Sequence, residues 1–285
     1  MANDVNIEAL LPPEMAQRAE SIGIKKITMP AVSTFILAVL AGAFIAVGAV
    51  FATTVSAGTA DLPYGVTKLL TGLAFSLGLI LVIVAGAELF TGNNLIVIAF
   101  ANKKVSLSSL LKNWLIVYIG NFVGSIATAF IMFLTKQYAS GNGVVGLNAL
   151  SIGNAKCGLE FVQAIAAGIM CNALVCLAVW LVYSARSTTD KILSIIPPIT
   201  AFVAAGFEHS IANMYFVPFA LFLKSFGEPG FFEKIGKLPS DFSNLTWGKF
   251  LLSNLLPVTI GNIIGGALMV GVVYWFIYLR GAKTK

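Results

Sequence analysis

The sequence predicts an all-α membrane protein of six transmembrane helices, and three observations carry that prediction. Apolar residues make up 58% of the 285 positions and charged residues 11%, against ~25% charged in soluble domains. Long apolar runs fall at residues 30–57, 65–100, 107–135, 159–184, 192–223 and 249–279, each with the ~20 residues a helix needs to cross a bilayer core. The second and fifth runs are interrupted near their middles by glycines, an acid and small polar residues. A membrane β-barrel would instead show alternating segments of ~10 residues, and none occurs. A run such as 251–278 can satisfy its backbone in lipid only as a helix.

The chain opens on a polar stretch, residues 1–28, read as a cytoplasmic segment. Pro12-Pro13-Glu14, followed by Met15, Ala16 and Ala19, predicts a short helix with proline in its first turn. It would serve as a surface anchor or as part of a gate. Asp4, Glu8, Glu14, Arg18, Glu20, Lys25 and Lys26 leave no apolar core for a cleaved signal. Residues 29–280 form the expected transmembrane domain and 281–285 a cytoplasmic tail.

Orientation follows the positive residues. An N-terminus in the cytoplasm and six crossings put Arg18, Lys25, Lys26, Lys103, Lys104, Lys112, Arg186, Lys191, Arg280, Lys283 and Lys285 inside. Lys68, Lys136, Lys156, Lys224, Lys234, Lys237 and Lys249 then lie outside, and all three arginines are internal. Both termini are therefore expected in the cytoplasm. The formal charge of +6 does not read as nucleic-acid binding, because no basic run is interleaved with aromatics. Cys157, Cys171 and Cys176 show neither disulfide nor metal-ligand spacing and read as small apolar residues.

The two interruptions are Gly86-Ala87-Glu88-Leu89-Phe90-Thr91-Gly92-Asn93-Asn94 and Gly206-Phe207-Glu208-His209-Ser210-Ile211-Ala212-Asn213. Broken helices survive at membrane depth only against protein or a polar cavity. Gly86, Glu88 and Asn93 match Gly206, Glu208 and Asn213 at constant offset. Gly120-Asn121 with Gly124 echoes Gly261-Asn262 with Gly265, and Gly42 is read as echoing Gly168. The order of these pairs predicts a three-helix unit repeated once with inverted orientation. Discontinuous helices at corresponding places in inverted halves point to a permeation or binding site.

The chemistry at the breaks is that of a small-solute path. The second half of each broken helix is expected to present free N–H groups near Asn93-Asn94 and Asn213, which favour anions, with Thr91, Ser210 and the asparagines as candidate caps. An ionised Glu at bilayer depth must be paired, protonated or hydrogen-bonded. Glu88 and Glu208 read either as a proton or cation site or as acceptors of backbone N–H bonds that hold their own breaks. Their pseudo-symmetry favours the second. His209 is the sole histidine and faces Leu89 in the repeat. Imidazole there can donate a hydrogen bond to an oxyanion, and imidazolium a proton; alternatively it is a satisfied core residue. No second His or Cys stands ready to help it hold a metal, and no cofactor is expected. Asn172 reads as interhelical glue or a path residue, Lys156 as an anion collector or an interface lysine.

Ile83-Val84-Ala85-Gly86-Ala87-Glu88-Leu89-Phe90-Thr91-Gly92 resembles the second-helix signature of the formate/nitrite transporter family. Gly168-Ile169-Met170-Cys171-Asn172-Ala173-Leu174-Val175-Cys176-Leu177-Ala178 is similar to its fourth-helix signature, with Ala173 smaller than usual. Gly206 to Met214 and Pro257-Val258-Thr259-Ile260-Gly261-Asn262 resemble its fifth and sixth helices. The likeness spans roughly residues 30–280 and is strongest to the formate-conducting members. It implies an aquaporin-like fold and a homopentamer in the bacterial inner membrane, with one pore per subunit carrying formate and similar monovalent anions, among them nitrite, hydrosulfide and acetate. It implies apolar constrictions at Phe75, Leu79, Leu89, Phe90, Val175 and Phe202, and a polar chamber at Thr91 and His209. Lys156 and Asn172 would match vestibule positions, Asn213 and Asn262 positions beside the pore, and residues 90–94 a mobile inner loop.

Other classes fit poorly. A water or glycerol channel would carry two Asn-Pro-Ala breaks, which are absent. A membrane-embedded serine hydrolase would need a nucleophile facing His209. Ser210 is adjacent in sequence, and neighbours on a helix do not face each other.

Overall fold

Proline and small hydroxyl residues set the helix starts. Pro12 and Pro13 open α1 (Pro12–Thr28), and Pro30 and Pro63 immediately precede α2 (Ala31–Val55) and α3 (Tyr64–Ala85). In these places a missing N–H costs nothing, since the first helical N–H groups have no intrahelical partner. The computed structural model describes residues 8–281. Beyond α3 come α4 (Phe90–Ala101), α5 (Leu107–Leu134), α6 (Val144–Cys157) and α7 (Phe161–Ser184). They are followed by α8 (Thr188–Ala204), α9 (Ser210–Phe226), α10 (Pro229–Ile235) and α11 (Lys249–Tyr278). Ser106 caps α5 through the Ser109 N–H, and Ser187 with Asp190 closes a capping box on α8. No strand occurs among the described residues.

Helices α2, α3, α5, α7 and α11 are each long and apolar enough to cross a membrane. The second and fifth apolar runs are broken, as the sequence predicts. Gly86 (φ +82°) ends α3 and Gly206 (φ +74°) ends α8, and α4 and α9 resume after three residues. Both glycines adopt the left-handed conformation that closes a helix C-terminus at little cost without a Cβ.

The packing repeats itself. In the first half α2 packs on α3 and α5, and α1 on α4; in the second α7 packs on α8 and α11, and α6 on α9. The halves interlock because α9 lies against α5 and α4 against α11. Close helix contacts use glycine, as membrane helices do. Gly124 abuts the Val39 carbonyl and Gly265 the Ile169 carbonyl; Gly120 meets Ala38 and Gly261 meets Gly168.

These contacts correct one equivalence drawn from the sequence. Asn121 donates to the Ala38 carbonyl while Asn262 donates to the Gly168 carbonyl, so Gly168 corresponds to Ala38. The counterpart of Gly42 is Asn172. Glycine is common in such helices, and a match on glycine alone slips by a turn.

Helix α1 also has a place in the repeat. A Cβ added at Gly23 would stand 3.2 Å from the Ala99 Cβ of α4, and one at Gly153 of α6 would stand 2.6 Å from the Ala220 Cβ of α9. Met15, Ala16 and Ala19 are buried in one apolar cluster with Leu95, Ile98, Trp180 and Val270. Helix α1 is the first-half counterpart of α6 rather than an element apart from the bundle.

Candidate permeation site

Each break is clamped by the same set of side chains. Glu88 accepts from Lys26 Nζ at 2.6 Å through Oε1 and from Asn93 Nδ2 at 2.7 Å through Oε2. Glu208 accepts from Lys156 Nζ at 2.7 Å and from Asn213 Nδ2 at 2.6 Å in the same way. Asn93 and Asn213 donate onward to Asn113 of α5 and Asn254 of α11. The carboxylates therefore hold their breaks, as their symmetry suggests, but through lysine and asparagine side chains rather than the backbone N–H groups expected. Burial makes these pairs demanding, because a carboxylate taken out of water needs its full set of partners.

The free N–H groups expected at the second half-helices are occupied at their first residues. Asn121 Oδ1 accepts the Phe90 N–H and Asn262 Oδ1 the Ser210 N–H, both at 2.9 Å. The same two amides donate to the carbonyls of Glu88 and Glu208 at 2.9 Å. One asparagine thus closes both broken ends. The caps come from α5 and α11, and on α9 also from His209, which accepts the Ala212 N–H, not from Thr91 or Ser210. Ser210 Oγ is buried with no hydrogen-bond partner among the described residues, and Thr91 Oγ1 is engaged by His209.

Two cavities flank the breaks. One, of about 320 Å³, is lined by Lys68, Phe75, Lys156, Phe202, Glu208 and His209 among others. The second, of about 250 Å³, is lined by Arg18, Lys26, Leu79, Glu88, Leu89 and Lys191 among others. Equivalent break residues, Gly86 to Leu89 and Gly206 to His209, line the two.

His209, in the lining of the first cavity, meets Thr91 of the other break. The Ala212 N–H donates to His209 Nδ1 at 3.1 Å, so that nitrogen presents a lone pair. The ring hydrogen therefore sits on Nε2, which lies 3.0 Å from Thr91 Oγ1 and donates to it. The Thr91 hydroxyl keeps its own hydrogen to donate. His209 is also stacked near Phe202, with ring centroids 6.0 Å apart, and Phe202 meets Phe75 edge-on at 5.7 Å.

The apolar candidates divide. Phe75 and Phe202 line the His209 cavity, and Leu79 and Leu89 the other. Val175 is buried and lines neither. Phe90 also lines neither: its ring turns to α5, against Tyr118 at 4.9 Å and Trp114 at 6.0 Å. Lys156 lines a cavity but spends its charge on Glu208. Asn172 does not lie in a vestibule. It is fully buried and donates to the carbonyls of Thr91 (3.3 Å) and Asn262 (2.7 Å) and to Asn94 Oδ1 (2.8 Å). It ties the first break to α11. Lys26, Asn113 and Asn254 complete the clamps and were not singled out from the sequence. Asparagine inside an apolar run was the available signal for two of them.

The family described as "Formate/nitrite transporter" matches residues 13–276. The "Formate channel FocA" of Escherichia coli (strain K12) is 47% identical over 280 residues, 98% of each chain. The protein of the same description from Haemophilus influenzae is 40% identical over 264 residues, 93% of each chain. A solved structure described as "Pentameric formate channel with formate bound" aligns with a TM-score of 0.84 at 50% identity, covering 87% of this chain and 98% of the other.

Proposed function

Because the chain belongs to the formate/nitrite transporter family, we propose that this multi-pass membrane protein is a channel for formate and similar small monovalent anions. The observation that carries the proposal is the arrangement at the centre. Two cavities with cations in their linings are built on the two breaks, and the Thr91–His209 pair joins those breaks, with His209 lining one cavity. Cationic walls raise the local concentration of anions. Apolar side chains at Phe75, Phe202, Leu79 and Leu89 make a bare carboxylate costly, so an anion crosses only where that cost is offset. His209 donates to Thr91, and the Thr91 hydroxyl hydrogen is the one left to donate to an anion that has shed water. A weak acid has a second option, which is to take a proton, pass the barrier neutral and ionise beyond it.

The assembly that fits is a homopentamer with one pore per subunit, supported by the description of the related solved structure. The two halves are inverted with respect to each other in an aquaporin-like arrangement, in the bacterial inner membrane, with both termini in the cytoplasm. Nitrite, hydrosulfide and acetate share the charge and small size of formate. The test is flux into proteoliposomes, comparing formate, nitrite, hydrosulfide, acetate, chloride and glycerol across pH 4–8. Saturation-free passage of formate well above chloride and glycerol is expected. Equal rates for glycerol, or none for any anion, would overturn the proposal.

A further inference from the structure

Resting on the channel reading above, we infer that the anions are gathered by Lys68 on one side and by Arg18 and Lys191 on the other, and not by Lys26 and Lys156. The difference lies in which charges are already spent. Lys26 and Lys156 are the cations nearest the breaks, yet each gives its ammonium to a buried carboxylate, Glu88 at 2.6 Å and Glu208 at 2.7 Å. An incoming anion meets each of these pairs as nearly neutral. Glu88 and Glu208 are the only carboxylates lining the two cavities among the described residues.

The other cations lining the cavities have no ion-pair partner among the described residues. Lys68 lines the His209 cavity and has no carboxylate within ion-pair distance among the described residues; its ammonium lies 5.4 Å from the Tyr64 ring centroid. That contact holds the head group without cancelling its charge. Arg18 donates Nη1 to the Tyr183 carbonyl at 3.0 Å, which orients the guanidinium over the opposite cavity and leaves its charge intact. Lys191 lines that same cavity and also lacks an acidic partner among the described residues. The His209 cavity thus carries one uncompensated positive charge, Lys68, and the opposite cavity two, Arg18 and Lys191.

Charges of this kind act on encounter and are screened over about 10 Å at ~0.1 M salt. Lys68→Gln is therefore expected to lower formate flux about threefold at ~10 mM ionic strength, and by less than about 1.5-fold at ~1 M. Lys68→Arg should restore the wild-type rate and its salt dependence. Arg18→Gln/Lys191→Gln should do the same as Lys68→Gln to a larger degree. The half-exposed position of these side chains makes the variants safe for folding, which an unchanged thermal transition would register. A structural defect would lower flux equally at both salt levels and would resist charge-matched rescue. The inference is overturned if wild type conducts formate while Lys68→Gln keeps full low-salt flux, or loses flux regardless of salt. Absence of formate flux in wild type would instead defeat the channel reading itself.

Discussion

His209 Nε2 lies 3.0 Å from Thr91 Oγ1, and through this contact the two broken helices meet at their interruptions. The donor site arises where the halves differ, with Leu89 against His209 and Thr91 against Ile211. The second ring nitrogen is held by the Ala212 N–H, so the imidazole is fixed in rotation and tautomer. Each half thus places one polar side chain at the junction against an apolar twin in the other, and the pair is directed from His209 to Thr91.

Substitutions at His209 separate two roles. Asn can still donate, so His209→Asn should keep formate flux within about tenfold of wild type, whereas His209→Phe removes the donor and should lose more than that. The pH profile between 5 and 8 then assigns the role. Parallel profiles in wild type and His209→Asn mark His209 as a hydrogen-bond donor; a profile that is flat only in the variant marks proton exchange with the permeating acid. Unchanged rate and profile in both variants would remove His209 from the pathway.

The Lys156–Glu208 clamp predicts a strongly non-additive cycle. Lys156→Met strands a buried carboxylate and should cost about 3–5 kcal/mol, whereas Lys156→Met/Glu208→Gln removes both charges and should recover part of that loss. Thermal unfolding in detergent reads the cycle. The Lys26–Glu88 pair should behave alike, because its geometry is the same. Additive losses would mean that the pairs are not coupled.

Much of this was legible in the sequence, and what was not has a physical reason. Glycine, glutamate and asparagine at mid-run are expensive in lipid, so the two breaks and their correspondence stood out. Partner choice did not. The caps on Phe90 and Ser210 come from Asn121 and Asn262, 31 and 52 residues away in sequence, and local propensity says nothing about so distant a donor or acceptor. Lys26 sits in a polar stretch whose composition resembles a soluble helix, and only its partner Glu88 gives it meaning. The rotation of Phe90 toward Tyr118 depends on how α4 is turned, which periodicity over so short a helix does not fix.

Orientation in the membrane is open to direct test. The Lys and Arg distribution places residues near Lys104 and Arg186 in the cytoplasm and those near Gly141 and Lys234 outside. Reporter fusions at these four sites should divide accordingly. An external signal at Arg186 would contradict both the proposed topology and the inverted relation of the two halves.

The glycines provide the sharpest test of the repeat. Gly124 and Gly265 are equivalent, and a Cβ at either would overlap a carbonyl oxygen of the facing helix, Val39 or Ile169. Backbone cannot give way as a flexible side chain can, so Gly124→Ala and Gly265→Ala must part α2 from α5 and α7 from α11. Gly86 and Gly206 differ in kind: nothing lies within 4 Å of a Cβ there, and the strain is confined to their positive φ. Gly86→Ala and Gly206→Ala should therefore cost only about 1–2 kcal/mol, the penalty of a left-handed non-glycine residue. Gly124→Ala and Gly265→Ala should each lose far more and to a similar extent, seen as loss of monodisperse protein on size exclusion and a large fall in melting temperature. If one of the two tight glycines tolerated alanine while its twin did not, the two helix contacts would not be equivalent, and the structural repeat would fail at its closest point of approach.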